Sequence, residues 1–163
     1  MNQTDLVAAI HGTPWLIVLA VAGGGNAAIT DLLDVPGASR TLLEVRVPYA
    51  HTAMVDLLGG EPPDGAVSQL TAEAMAVACL ERARFLAPDH PELLGVACTA
   101  ALVSDRPKKG EHRAHVAIAS AAGVRHERVG LVKGALDRPG EDRVVADAIL
   151  RRLAAASGLQ PSA

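Results

Sequence analysis

Aromatic side chains are almost missing from this sequence: one Trp, one Tyr and one Phe among 163 residues, 2% of the chain, although half of all residues are hydrophobic. An interior built around large rings is therefore excluded. The core must be filled by Ala, Val, Leu and Ile, which suits helices packed closely on strands and favours a layered α/β architecture. Cysteine is as scarce. Cys79 and Cys98 stand nineteen positions apart with no CxxC pair, so neither a disulfide framework nor a cysteine zinc site is expected, and both read as reduced, buried thiols. No excess of one charge exists either: the formal net charge is -3, with both signs scattered along the chain, which leaves no field to gather nucleic acid or anionic lipid.

Long apolar runs are also lacking. The stretch Trp15 to Ala22 is well short of the roughly 20 residues needed to cross a bilayer. Ala20-Val21-Ala22 looks like a signal-peptide cleavage site, but no Lys or Arg precedes it and Asp5 does. A cytoplasmic location is expected, with no membrane partner. There is no internal repeat and no low-complexity tract. One domain over 1–163 is expected, with its core at 14–156 and a loose tail at 157–163.

The first element read begins at Trp15. Leu16 to Val21 is continuously apolar, the pattern of a strand covered on both faces in a largely parallel sheet. Gly23-Gly24-Gly25 ends it, and Asn26 is placed to cap a helix running to about Leu33. After a Pro36-Gly37 loop, Leu42 to Val47 alternates apolar and charged residues and reads as an edge strand. His51 to Leu58 carries helical spacing up to Gly59-Gly60. Ala72, Met75, Ala76, Cys79, Leu80 and Ala83 recur at three and four residues, predicting a helix to about Leu86. Leu93 to Ala101 is another buried strand, and 104–111 a polar loop. Ala114 to Ala119 and Val124 to Val132 are extended segments joined by Ala121-Ala122-Gly123 as a hairpin. Gly140 precedes a last helix from about Glu141 to Ala156, with Val144, Val145, Ala148, Ile149 and Leu153 inward.

Several residues are candidates for chemistry. A strand that ends in glycines and feeds a helix leaves free amides for an anion. Gly24, Gly25 and Asn26 are thus candidate phosphate contacts, or simply a tight turn, since the spacing fits neither the dinucleotide fingerprint nor a Walker loop. Ser39 and Arg40 precede the edge strand and Tyr49 follows it, so hydroxyls at both its ends are candidates for one site; the alternative is a turn cap and a rim residue. Lys108 and Lys109, in a loop at a sheet edge, and Arg138, at the entry to the last helix, are candidate anion contacts. His112 and His115, three apart in a strand, face opposite ways and share no metal. The other histidines sit singly, and neither a metal site nor a cofactor is expected.

Val35-Pro36-Gly37-Ala38-Ser39-Arg40, Val47-Pro48-Tyr49-Ala50, Leu57-Leu58-Gly59, Gly65-Ala66-Val67-Ser68 and Thr71-Ala72-Glu73-Ala74-Met75-Ala76 follow one another in an order and spacing that resembles the CinA C-terminal domain family. The likeness continues through Val116-Ala117-Ile118-Ala119 and Arg138. It implies a three-layer α/β/α sandwich with a mixed, mostly parallel central sheet, often dimeric. It further implies an amidohydrolase that converts nicotinamide mononucleotide to nicotinate mononucleotide and ammonia. Ser39 falls on that family's nucleophile and Tyr49 on its assisting tyrosine. The lysine five residues beyond the tyrosine is here Met54, which cannot accept a proton. The family's Glu-Ser-Cys-Thr-Gly-Gly segment is here Val21 to Asn26, and its Thr-Gly-Ile-Ala-Gly-Pro turn is Cys98 to Val103. Lys108 or Lys109 would have to supply the missing amine.

Three readings follow. In the first, Ser39 attacks the amide, Tyr49 relays a proton, and the glycine turn, Arg40, the loop lysines and Arg138 hold the nucleotide. In the second, the pocket binds a nucleotide without turnover. In the third, the domain is an oligomer-forming partner; a homodimer is expected in any case.

Overall fold

A computed structural model describes residues 1–160. In chain order the elements are α1 (Gln3–His11), β1 (Leu16–Ala22), α2 (Ala27–Asp34), β2 (Leu42–Arg46), α3 (His51–Leu58), α4 (Gln69–Leu86), β3 (Leu93–Ala101), β4 (His112–Ser120), β5 (Gly123–Leu131) and α5 (Arg138–Ala156), with a short 3-10 turn at Ala38–Arg40. The strands form one sheet in the order β2-β1-β3-β4-β5. β1 lies parallel to β2 and β3, and β4 alone is reversed, antiparallel to both β3 and β5.

The sheet separates two apolar layers. Ile17, Leu19 and Val21 of β1 face the helices α1, α2 and α5, whereas Val18, Ala20 and Ala22 face α3 and α4. Burial on both faces is why β1 reads as an unbroken apolar run rather than an alternating one. The result is the three-layer α/β/α sandwich with a mixed sheet that the sequence led us to expect. The cysteines fall in different layers, Cys98 on the α5 side and Cys79 on the α4 side. Burial pushes the Cys79 thiol up to about 12 and the Cys98 thiol higher still, so both are unreactive.

The scarcity of rings has a local counterpart where α4 meets the sheet. A Cβ added at Gly95 of β3 would lie 2.0 Å from the Ala76 carbonyl oxygen and 2.4 Å from the Leu80 nitrogen. The helix backbone thus rests directly on the strand. The facing residues, Ala72, Ala76, Cys79, Ala97 and Ala117, are correspondingly small.

Several expectations need correction. α1 was not anticipated, though Asn2 caps it through the Asp5 amide at 2.8 Å and Leu6, Val7 and Ile10 are buried at helical spacing. Asn26 makes no side-chain cap to α2. α5 starts at Arg138, before Gly140, because the Asp137 carboxylate caps the Gly140 amide at 2.8 Å. Val144 is exposed; the inward face is Val145, Ala148, Ile149 and Leu153. The expected hairpin forms, but Gly123 pairs with Ser120, leaving Ala121-Ala122 as its turn. The tail is docked as far as it is described: Gly158 donates to Ala155 at 3.1 Å and Leu159 to Ala154 at 2.9 Å, the paired bonds of a Schellman cap, and Leu159 packs on the core. Residues 161–163 of that expected tail lie outside the described residues.

Since helix backbone rather than a flexible side chain opposes a methyl at Gly95, Gly95→Ala should cost about 3 kcal/mol, the upper end for overpacking. Urea unfolding should show this as a lower midpoint at unchanged slope.

Candidate functional site

From β1 the chain turns through α2 to β2 on one side, and from β2 it returns through α3 and α4 to β3 on the other. α2 and α4 lie on opposite faces, so the loops leaving β1 and β2 diverge. A crevice opens past the carboxyl ends of these strands, where α/β sheets commonly hold ligands. A cavity of about 300 Å³ lies there, lined by Ala22 and Gly23 from β1, Tyr49, His51 and Met54, Thr99 from β3, and Ser104, Lys108 and Arg138.

Gly23 is required at this edge. Its φ is +84°, and a Cβ would stand 2.1 Å from the Ala100 carbonyl oxygen. Arg138, at the first position of α5, donates to the Gly23 carbonyl at 3.0 Å and to the Val103 carbonyl at 2.7 Å, tying together the two loops that frame the crevice. The Thr99 hydroxyl donates to the Ala66 carbonyl at 2.6 Å and Arg113 to the Val67 carbonyl at 2.8 Å, fixing the wall before α4.

The half-buried Lys108 carries the unusual charge of this site. Burial holds its amine below the ordinary lysine value of 10.5, Arg138 and Arg113 push it the same way, and Glu141 opposes them. Among the described residues no carboxylate forms an ion pair with it.

Of the residues singled out from sequence, Tyr49, Lys108 and Arg138 meet at this cavity. Ser39 does not. It is exposed in the 3-10 turn before β2, beside the buried Thr41–His11 hydrogen bond of 2.7 Å, while Tyr49 follows the strand. The intervening Leu42 to Pro48 covers about 20 Å at roughly 3.3 Å per residue, so the two hydroxyls do not share a site. Arg40 caps α1 instead, its Nε 3.2 Å from the His11 carbonyl. Lys109 is exposed and does not line the cavity.

The glycine turn is corrected too. The anion expected at Gly25 and Asn26 is the protein's own: Asp142 of α5 accepts from the amides of Gly25, Asn26 and Ala27 at 2.6, 3.0 and 2.9 Å. Gly24 packs on Leu102, whose Cδ1 would lie 2.5 Å from an added Cβ.

His112 and His115 face opposite ways as expected, but not all the other histidines are single. His112 Nδ1 is 3.0 Å from Glu141, and His115 Nδ1 is 2.8 Å from His126 Nε2. Burial lowers the pKa of both His115 and His126. Among the described residues no group of three or more His, Cys, Asp or Glu is arranged to hold a metal, and no helix is long and apolar enough to cross a membrane. Sequence reasoning missed Thr99, Glu141 and Asp142. The first two look like ordinary strand and helix residues, and the third binds a turn 117 positions away.

No family model matches the chain. A CinA-like protein of Chlorobaculum tepidum is 41% identical over 70 residues, which make up 40% of this chain but only 16% of that protein. The competence/damage inducible protein CihA of Agrobacterium tumefaciens superposes over 94% of both chains with a TM-score of 0.77 at 25% identity. The chain is thus similar to CinA proteins, in sequence over part of its length and in fold over nearly all of it. A CinA superfamily protein of Klebsiella pneumoniae, 15% identical with a TM-score of 0.73 over 97% of both chains, shares the fold. In this chain the glycine turn is closed by Asp142, and the crevice beside it is lined by Lys108 and Arg138.

Removing the carboxylate from that turn orphans its amides. Asp142→Ala should lower unfolding free energy by about 2 kcal/mol, as expected for hydrogen bonds to a charged group, and Asp142→Asn by less. Chemical denaturation of the two variants checks the order.

Proposed function

We propose that this CinA-like chain binds a small phosphorylated ligand of the mononucleotide class, without turning it over, in the crevice between Tyr49, Thr99, Lys108 and Arg138. One observation carries the reading: the Lys108 amine is partly stripped of water at a cavity, close enough to Arg138 and Arg113 to feel their charge, with no ion-paired carboxylate among the described residues. A dehydrated ammonium without its own counter-ion favours an anion that enters from solvent. A volume of about 300 Å³ is at the small end of ligand sites and suits one nucleotide rather than two. The family likeness makes nicotinamide mononucleotide the first ligand to try.

The amidohydrolase reading has weaker support. It needs Ser39 close to a proton acceptor, but this side chain stands outside the crevice, and the thioether of Met54 cannot take a proton.

Calorimetry with nicotinamide mononucleotide should give a single-site isotherm. Lys108→Met should weaken it roughly tenfold, the loss of one charge-assisted contact, and no ammonia should be released at high protein concentration. Binding should be strongest where Lys108 is protonated. It should fade as pH rises through the lowered value of its amine, earlier than for an ordinary lysine. Ammonia release that disappears with Ser39→Ala would overturn this reading in favour of hydrolysis.

A further inference from the structure

One buried carboxylate grips both ends of the loop that carries Lys108. Glu141, one turn into α5, is fully buried. Its Oε1 accepts from the Val103 amide at 2.7 Å, and its Oε2 lies 3.0 Å from Nδ1 of the buried His112. Val103 opens the segment 104–111 and His112 closes it. Arg138, three residues earlier on the same helix, takes the Val103 carbonyl at 2.7 Å. Both backbone groups of Val103 are thus held by side chains from the first turn of α5.

Packing does not explain this arrangement. A carboxylate taken out of water costs several kcal/mol unless its partners are well placed, and an apolar side chain of similar size would fill the same space. What an apolar residue could not do is fasten two points of a loop to a helix. Glu141 does not itself line the cavity, whereas Lys108, midway along the tethered loop, does.

Building on the anion-pocket reading above, we infer that Glu141 is a positioning residue: by fastening Val103 and His112 to the start of α5, it sets the Lys108 amine beside Arg138 at the crevice. Its effect is also electrical. Among the charges acting on Lys108, Glu141 favours the ammonium, against burial, Arg138 and Arg113. Neutralising it must therefore make the amine easier to deprotonate. A residue that only filled space would leave that titration where it is.

The test uses Glu141→Gln, which keeps the size and an acceptor for Val103 but removes the charge. Lys108 is followed by NMR after reductive methylation with labelled formaldehyde, its signal assigned by its loss in Lys108→Arg. Affinity for nicotinamide mononucleotide is measured in parallel by calorimetry. The expected result is a lower titration midpoint for Lys108 and, at mildly alkaline pH, roughly tenfold weaker binding, the scale of losing one partner in a buried charged pair. A folded Glu141→Gln with unchanged midpoint and unchanged affinity overturns the inference. If the wild-type chain binds no nucleotide but the Lys108 midpoint still falls, the pocket reading fails and the coupling of Glu141 to the amine stands. Should Glu141→Gln not fold, His112→Gln releases only one end of the loop. Weaker binding in that variant supports the inference, and wild-type affinity overturns it.

Discussion

Arg138, Glu141 and Asp142, all within the first five residues of α5, meet the backbone that the sheet leaves unpaired where β1 and β3 end. Arg138 takes the carbonyls of Gly23 and Val103, Glu141 the amide of Val103, and Asp142 the amides of Gly25, Asn26 and Ala27. Parallel strands that stop at a crevice always face this difficulty, because the next residues have neither a neighbouring strand nor free water, and each orphaned group costs about 1–3 kcal/mol. Here one helix start resolves it for two loops. The frame of the crevice is therefore long-range by construction: Gly25 and Asp142 are 117 positions apart, so this edge of the domain is completed only when the last helix docks.

That dependence explains what could be read from the sequence. β1, α4 and the β4–β5 hairpin follow from local patterns, such as an unbroken apolar run, apolar residues three and four apart, and a short link between extended segments. α1 was just as legible, with Asn2 before Leu6, Val7 and Ile10, but the apolar run after it drew the reading to begin at Trp15. The sequence leaves the turn at Gly25 open between an anion contact and a bare tight turn, because nothing in its vicinity reveals that a carboxylate arrives from α5. The Ser39–Tyr49 pairing failed for a reason already present in the sequence. An extended strand between two residues holds them apart, and the edge strand read at Leu42 to Val47 left them no way to meet.

The histidines show the same division between direction and partner. Period-two alternation gave the opposite orientations of His112 and His115, but not that one would find Glu141 and the other His126. His11 is a further case: it is buried with Nδ1 on Thr41 and Nε2 on the Leu32 carbonyl, joining α1 to the start of β2 and the end of α2. Each buried imidazole is accounted for by a partner on another element, as buried polar groups generally are.

The charge at the crevice has changed walls relative to the pattern that the family likeness implies. Met54 stands where a lysine is expected, and its side chain is buried in the apolar layer on the α4 side of the sheet. The cation now comes from Lys108, on the loop between β3 and β4, held by α5 rather than by α3. An amine on either wall can neutralise a phosphate, because charge attraction falls slowly with distance and tolerates many directions. Proton transfer does not tolerate such a move, since it needs an acceptor within hydrogen-bond reach of the hydroxyl. Relocating the cation therefore separates two properties that one lysine would have joined. On the binding reading proposed above, the attraction for an anionic ligand is kept at the crevice, apart from the serine at the far end of β2.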